Sequence, residues 1–205
     1  MHLIDKLKKK FNQNSLFLAS DIHEKSLTDA ALKEELLRLT KSDALKRYGY
    51  GMYYLPDPKD KTPLDPLQAV ALRYVTDGKD FYGFFSGQGF LDGVVGRPIS
   101  SSEHLEIMTN KATSGKKTIF VFSKRVTLRR PYITINKNNV LINSFLSYLS
   151  STPLDEIQHN YSLLANYIRT NQLSANDVMK MANAFPAKTS TKLLASDLYR
   201  SLWKH

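Results

Sequence analysis

Four prolines, Pro56, Pro58, Pro63 and Pro66, fall within eleven residues and are mixed with aspartates and lysines. Proline fixes φ and has no N–H to donate, so neither a helix nor a central strand runs through such a stretch. The chain must therefore break here into a short N-terminal part and a longer C-terminal one. We place one domain at residues 1–57 and a second at 66–205.

The N-terminal part carries a compact set of signals. Ile4, Leu7 and Phe11 recur at helical spacing among Lys6, Lys8, Lys9 and Lys10. This predicts a first helix over residues 3–12 with a solvated lysine face; an amphipathic helix lying on a membrane is the alternative. Ser20-Asp21 is a start signal for a short second helix running to Lys25. Ser26 or Thr28 caps a third helix that ends near Lys41, with Leu32, Leu36 and Leu39 on its core stripe. Residues 44–55 are β-rich, and Gly49 and Gly51 provide turn conformations, so they read as a hairpin.

Three short helices and a hairpin within about 60 residues is the order of a winged helix-turn-helix, whose last helix enters the major groove while the hairpin touches the backbone beside it. The expected DNA-binding residues are Ser26, Thr28, Lys33, Arg38 and Lys41 on the helix, then Lys46, Arg47, Tyr48 and Tyr50 on the wing. Lysine and arginine reach phosphates and guanine edges. The alternatives are a protein-interaction module or a merely solvated helix face, and Glu34 on the outward side repels phosphate unless it accepts from a cytosine amine.

Beyond the prolines we expect an α+β arrangement, a mixed β-sheet region passing into a helical C-terminus. A helix is predicted at Leu67–Val75, a strand at 81–85 and a loop or short helix at Gly87–Val95. Further strands are expected at Leu105–Thr109, Thr118–Phe122, Val126–Arg129 and Tyr132–Ile135, and helices near 143–150, 155–171, 174–184 and 190–203.

The net charge of +10 favours a polyanionic partner. Residues 1–60 hold 11 basic and 9 acidic groups, whereas residues 61–150 hold 12 and 6, so the assigned recognition segment is not the most basic. A secondary basic patch is expected at Lys116, Lys117, Lys124, Arg125, Arg129 and Arg130, with Lys111 nearby. It would add phosphate contacts, recruit RNA or meet an acidic protein; a hairpin edge guarded by charge is the equal alternative.

Enzyme signatures are weak. There is no cysteine, which removes thiol nucleophiles and thiolate metal sites. The Gly87-Gln88-Gly89 run has one residue too many before Gly93 for a dinucleotide loop, so a turn with close backbone packing is the better reading. Glu156 and His159 lack a third metal ligand, and among His104, Glu103 and Glu106 the sequence neighbours on a strand point to opposite faces. A nuclease would want an acid-x-Lys triplet where Phe122-Ser123-Lys124 stands. No catalytic activity, cofactor or metal is expected. No apolar run reaches the ~18 residues of a membrane span, and no secretory signal opens the chain, so a cytoplasmic protein without a membrane partner is expected.

From Phe17 to Leu55 the chain resembles the N-terminal domain of AbiEi-family antitoxins, the antitoxin half of AbiE-type (type IV) toxin–antitoxin pairs. The resemblance rests on Ala19-Ser20-Asp21-Ile22, on Leu36-x-x-Leu39, and on Leu45-x-Arg47-x-Gly49-x-Gly51-x-Tyr53-Tyr54-Leu55-Pro56. A weaker similarity runs from Phe85-Ser86-Gly87 to Gly93-Val94-Val95-Gly96. It implies a repressor that binds inverted repeats in its own promoter, and a C-terminal domain that counteracts a nucleotidyltransferase-like toxin without requiring a stable complex. A winged-helix regulator whose second domain senses a ligand or partner is the alternative, and a winged-helix nuclease ranks third.

Overall fold

In the computed structural model the described residues are 2–24, 26–49, 51–60, 64–99, 104–121 and 124–203. Lys25, Tyr50, Pro63, Glu103, Phe122 and Ser123, all used in the sequence reading, lie outside them. The protein is α+β, with two small sheets and a helical C-terminal region. It divides into two compact units, Met1–Leu72 and Arg73–His205, the division falling inside helix Pro66–Tyr74 (α3).

Unit 1 runs α1 (Leu3–Lys10), β1 (Phe17–Leu18), a single 3₁₀ turn (Ala19–Asp21), α2 (Asp29–Lys41), β2 (Lys46–Gly49) and β3 (Met52–Tyr54). Its antiparallel sheet has the order β1-β3-β2, with Phe17 opposite Tyr53 and Leu18 opposite Met52. The amphipathic stripes bury as their spacing requires. Leu3 and Leu7 of α1 meet Leu36 and Leu39 of α2, with Phe17, Ile22, Leu45 and Leu55 completing the core. Phe11 stacks on Phe17 with ring centroids 4.0 Å apart. Gly51 at φ +75° turns the hairpin, a backbone region that favours glycine.

One expected helix is absent. After the 3₁₀ turn, residues 22–24 are not helical, because the Asp21 carboxylate reaches back to accept from the Leu18 N–H at 2.8 Å instead of capping forward. The β1 strand, too short to show a period, takes the place before it.

Unit 2 pairs β4 (Gly83–Phe85), β5 (His104–Thr109), β6 (Lys116–Val121) and β7 (Lys124–Arg129) in the order β4-β5-β7-β6. The central β5–β7 pair is parallel and the outer pairs are antiparallel. Gly83 is obligatory here, because a Cβ would lie 2.0 Å from the Tyr74 carbonyl oxygen. Helix α4 (Gln88–Val94) follows β4 closely enough that a Cβ on Gly89 would stand 3.1 Å from Phe85 Cβ, as close backbone packing requires.

The expected strand at Tyr132–Ile135 does not form. Pro131 has no N–H for a ladder, and side-chain amides hold the segment instead. Asn110 donates to Ile135 O at 2.8 Å and accepts from Ile135 N at 2.9 Å, while Asn143 donates to Ile133 O at 2.9 Å.

Helix α5 (Val140–Ser151) is buried on nearly every side, its Phe145, Leu146 and Leu149 forming a core with α6 (Leu154–His159), α7 (Tyr161–Thr170), α8 (Ala175–Ala182), α9 (Ala187–Ala195) and α10 (Leu198–Leu202). The expected helix 155–171 is interrupted at Asn160, whose side chain folds back to the Glu156 carbonyl at 3.0 Å. The expected helix 190–203 begins earlier and breaks at Asp197, which sits at φ +60°. Among the described residues no helix is long and apolar enough to cross a membrane.

Candidate nucleic-acid interface

Helix α2 starts where the sequence offers a cap, with Thr28 Oγ1 accepting from the Ala31 N–H at 3.2 Å. Burying Leu36 and Leu39 turns Ala30, Lys33, Glu34, Leu37, Arg38 and Lys41 to solvent. Leu37 is 56 % exposed in the middle of this face, an apolar surface that the charge-based reading passed over. The hairpin presents an exposed Arg47, opposite Tyr53 in the ladder.

Several of the expected contact residues are engaged within the unit. Arg38 forms a fork on Glu35, with Nε to Oε2 at 2.8 Å and Nη2 to Oε1 at 2.5 Å. This pair holds the Glu35 carboxyl below the usual carboxylate range. Lys46 pairs with Asp43, which raises the lysine ammonium above its ordinary range. Ser26 donates to Glu24 Oε1 at 2.7 Å, and Glu24 also holds Lys6 at 2.5 Å. Those bonds to Lys6, then to Ser26, lower the Glu24 carboxyl to about 2. The Tyr48 hydroxyl donates to Leu64 O at 3.3 Å, and burial pushes its phenol upward. Tyr48 thus packs inward, while Tyr50 is outside the described residues. Lys33, Lys41 and Arg47 are exposed.

Glu35 stands three residues before Arg38 within α2, a spacing that puts side chains within reach along a helix and is legible in the sequence. Asp43 and Lys46 lie beyond the helix end and pair across the turn into β2. A groove of about 590 Å³ between α1 and α2 is faced by Glu24, Glu34 and Glu35 as well as by Lys6, Arg38 and Lys41. Balanced in sign, it offers a polyanion no net attraction.

In unit 2 the linear basic cluster is divided by the pleat. Successive side chains of a strand point to opposite faces, so Lys116, Arg125 and Arg129 share one face, and Lys117 and Lys124 the other with buried Val126 and Leu128. Arg130 follows the end of β7 and is exposed. Lys111 turns away to donate to Arg73 O at 2.8 Å and to lie over the Tyr82 ring.

The paired carboxylate and histidine candidates are engaged separately. Glu106 accepts from Arg129 at 3.3 Å, His104 Nε2 lies 2.8 Å from Thr127 Oγ1, and Glu156 accepts from the Tyr148 hydroxyl at 3.4 Å. Among the described residues no three histidine, aspartate or glutamate side chains are grouped to hold a metal ion. Compared with protein-family models, curated proteins and solved structures, the chain matches none of them.

Proposed function

We propose that unit 1 is a winged helix-turn-helix and that the protein binds duplex DNA through the outer face of α2 and the β2–β3 hairpin. The observation that carries this reading is topological. A helix, a short strand with a 3₁₀ turn in place of the expected second helix, a capped helix and a glycine-turned hairpin follow one another, with sheet order β1-β3-β2, and the outer face of α2 and Arg47 are exposed. The thirteen residues of α2 make a rod about 20 Å long, which fits a major groove. Lys33, Arg38 and Lys41 supply its cations and Arg47 meets the flanking backbone.

The resemblance over residues 17–55 extends the proposal: a cytoplasmic antitoxin that represses its own operon and counteracts a nucleotidyltransferase-like toxin. The test is a gel shift on the gene's upstream region with wild type and Arg38→Ala/Arg47→Ala. The double variant is expected to bind several-fold more weakly, with the salt slope reduced by about 0.9 per lost contact. Equal retardation of the two proteins defeats the assigned surface. Co-expression with a neighbouring nucleotidyltransferase-like gene tests the antitoxin role, and unrelieved growth arrest defeats it.

A further inference from the structure

The β6–β7 ribbon carries an arrangement that duplex binding by unit 1 does not use. Strand β6 is the outer strand of its sheet, and its register with β7 sets three cross-strand pairs on one face. Lys116 stands opposite Arg129, Thr118 opposite Thr127 and Phe120 opposite Arg125. These levels span about 14 Å, four residues at ~3.4 Å each. Toward β4 the same face is closed, with Phe84 and Met108 buried against Ile135 and Val140. Toward β6 it is open: Lys116, Thr118, Phe120 and Arg125 are all exposed.

Two features of this face disfavour the bare protein. Like charges directly opposite each other in a ladder repel, yet Lys116 and Arg129 are placed so, with Glu106 offsetting only the arginine. Phe120 is 73 % exposed on an edge strand. Lysines on an edge guard it against pairing with another chain, but an exposed aromatic works against that purpose. Nor is the ring part of an apolar docking patch, since its face-mates are Thr118, Arg125 and Lys116. A ligand with a flat π-face and regularly spaced negative charge answers both features.

We infer that this ribbon binds single-stranded nucleic acid, with a base stacked on Phe120 and backbone phosphates held by Arg125 and Lys116. Bases in a duplex are stacked on one another and cannot lie on a protruding ring, whereas an unpaired strand offers its bases freely. Thr127 Oγ1 lies 2.8 Å from His104 Nε2 and 2.9 Å from Thr118 Oγ1, a polar floor between the ring and the cation pair.

The test is fluorescence anisotropy on the full chain with labelled oligo-U and oligo-dT of about twelve nucleotides, within the usual range of site sizes. A duplex of the same length serves as comparison. Phe120→Leu keeps an apolar side chain but removes the ring, and is expected to weaken single-strand binding about tenfold. Phe120→Tyr is expected to restore it, and duplex retardation is expected to stay at the wild-type level in both variants. Arg125→Gln should lower the slope of log K against log salt by about 0.7, with no such change in Phe120→Leu. Tighter binding of either oligonucleotide supports the inference and identifies the preferred sugar. Wild-type affinity in Phe120→Leu, no saturable binding of either strand, or an equal loss on duplex overturns it.

Discussion

In unit 1 the core cluster is mainly leucine, with Phe17 and Ile22, held between two helices and a three-stranded sheet whose Met52 is fully buried as well. In unit 2 helix α5 is buried on nearly every side, packs chiefly on α8 and α9, and takes tyrosine, asparagine and serine into the interior with it. Charge runs the other way. Residues 1–72 hold 12 basic and 10 acidic groups, while residues 73–205 hold 17 and 9. The unit proposed to read DNA is thus nearly balanced, and the excess of cations lies in the unit with the larger core. Net charge therefore locates an electrostatic partner poorly here. What matters is which cations the fold leaves unengaged on one face.

The comparison of cores is broken most directly at Phe17. Its ring is 1 % exposed and stacks on Phe11 at 4.0 Å. Truncation to alanine is expected to cost about 3–5 kcal/mol, which is comparable with the whole stability of a small unit. Calorimetry should show two transitions in the wild type. Phe17→Ala should lower or abolish one of them, together with duplex retardation, and leave the other in place. A single transition that moves as a whole would show that the two cores do not melt separately.

In unit 2 the corresponding weak point is polar. The Lys192 ammonium, from α9, donates to the carbonyls of Leu149 at 3.1 Å and Thr152 at 2.5 Å, closing the C-terminal end of α5. A helix C-terminus carries partial negative charge and unpaired carbonyls, so a cation there satisfies both. Lys192→Met keeps the aliphatic stem and removes the donor. It should cost about 1.5–3 kcal/mol, lowering the transition of unit 2 and leaving that of unit 1 unchanged.

Features carried by local chemistry are legible in the sequence. The leucine stripe of α2, the Thr28 cap, the glycines of the β2–β3 hairpin and the existence of strands near 118–122 and 126–129 all follow from periods and turn residues. Features set by partners distant in sequence are not. Nothing local to Tyr132–Ile135 reveals that Asn110 will take both backbone groups of Ile135. Lys192 finds its carbonyls some 40 residues away. The apolar run at Thr118–Phe122 reads equally as a central or an edge strand. Only the sheet order makes Phe120 a surface residue and divides the basic cluster between two faces. At the candidate interface, cation positions can be read directly, and so can the spacing of Glu35 from Arg38, but not the long-range hold of Glu24 on Lys6.

The units should also differ in which side of neutrality harms them more. In unit 1, Lys6 and Ser26 lower the Glu24 carboxyl from 4.5 to about 2. A depressed carboxylate stabilises the fold above its unfolded value, and that contribution fades as pH falls from 4.5 toward 2. In unit 2, burial raises the Tyr148 phenol from 10.0 to about 12, and burial moves Tyr167 the same way. A raised phenol stabilises fully below 10, and that contribution fades as pH rises toward 12. The Tyr48 phenol of unit 1 is raised and the Asp77 carboxyl of unit 2 is lowered in the same way. Melts at about pH 3 and pH 11 should therefore lower both transitions, the acid one mainly that of unit 1 and the alkaline one mainly that of unit 2. Glu24→Gln should flatten the acid limb alone, and an unchanged limb would remove Glu24 as its source.

The smallest expected effect bears most closely on the charge balance of unit 1. If α2 lies against phosphates, the Glu35 carboxylate both occupies the Arg38 fork and adds repulsion beside the ligand. Exposed ion pairs contribute about 0–1 kcal/mol, so Glu35→Gln should leave the stability of unit 1 nearly unchanged while freeing the guanidinium. Asp43→Asn should do the same for Lys46, and asparagine accepts the left-handed backbone at φ +58° without strain. Each change should tighten binding to the upstream duplex about two- to fivefold, within that same ion-pair range. The two sites share no side-chain partner, so the gains should add in the double variant. Unchanged or weaker binding in both variants would mean that these cations do not face phosphate, and that the balanced charge of unit 1 reflects a surface turned away from DNA.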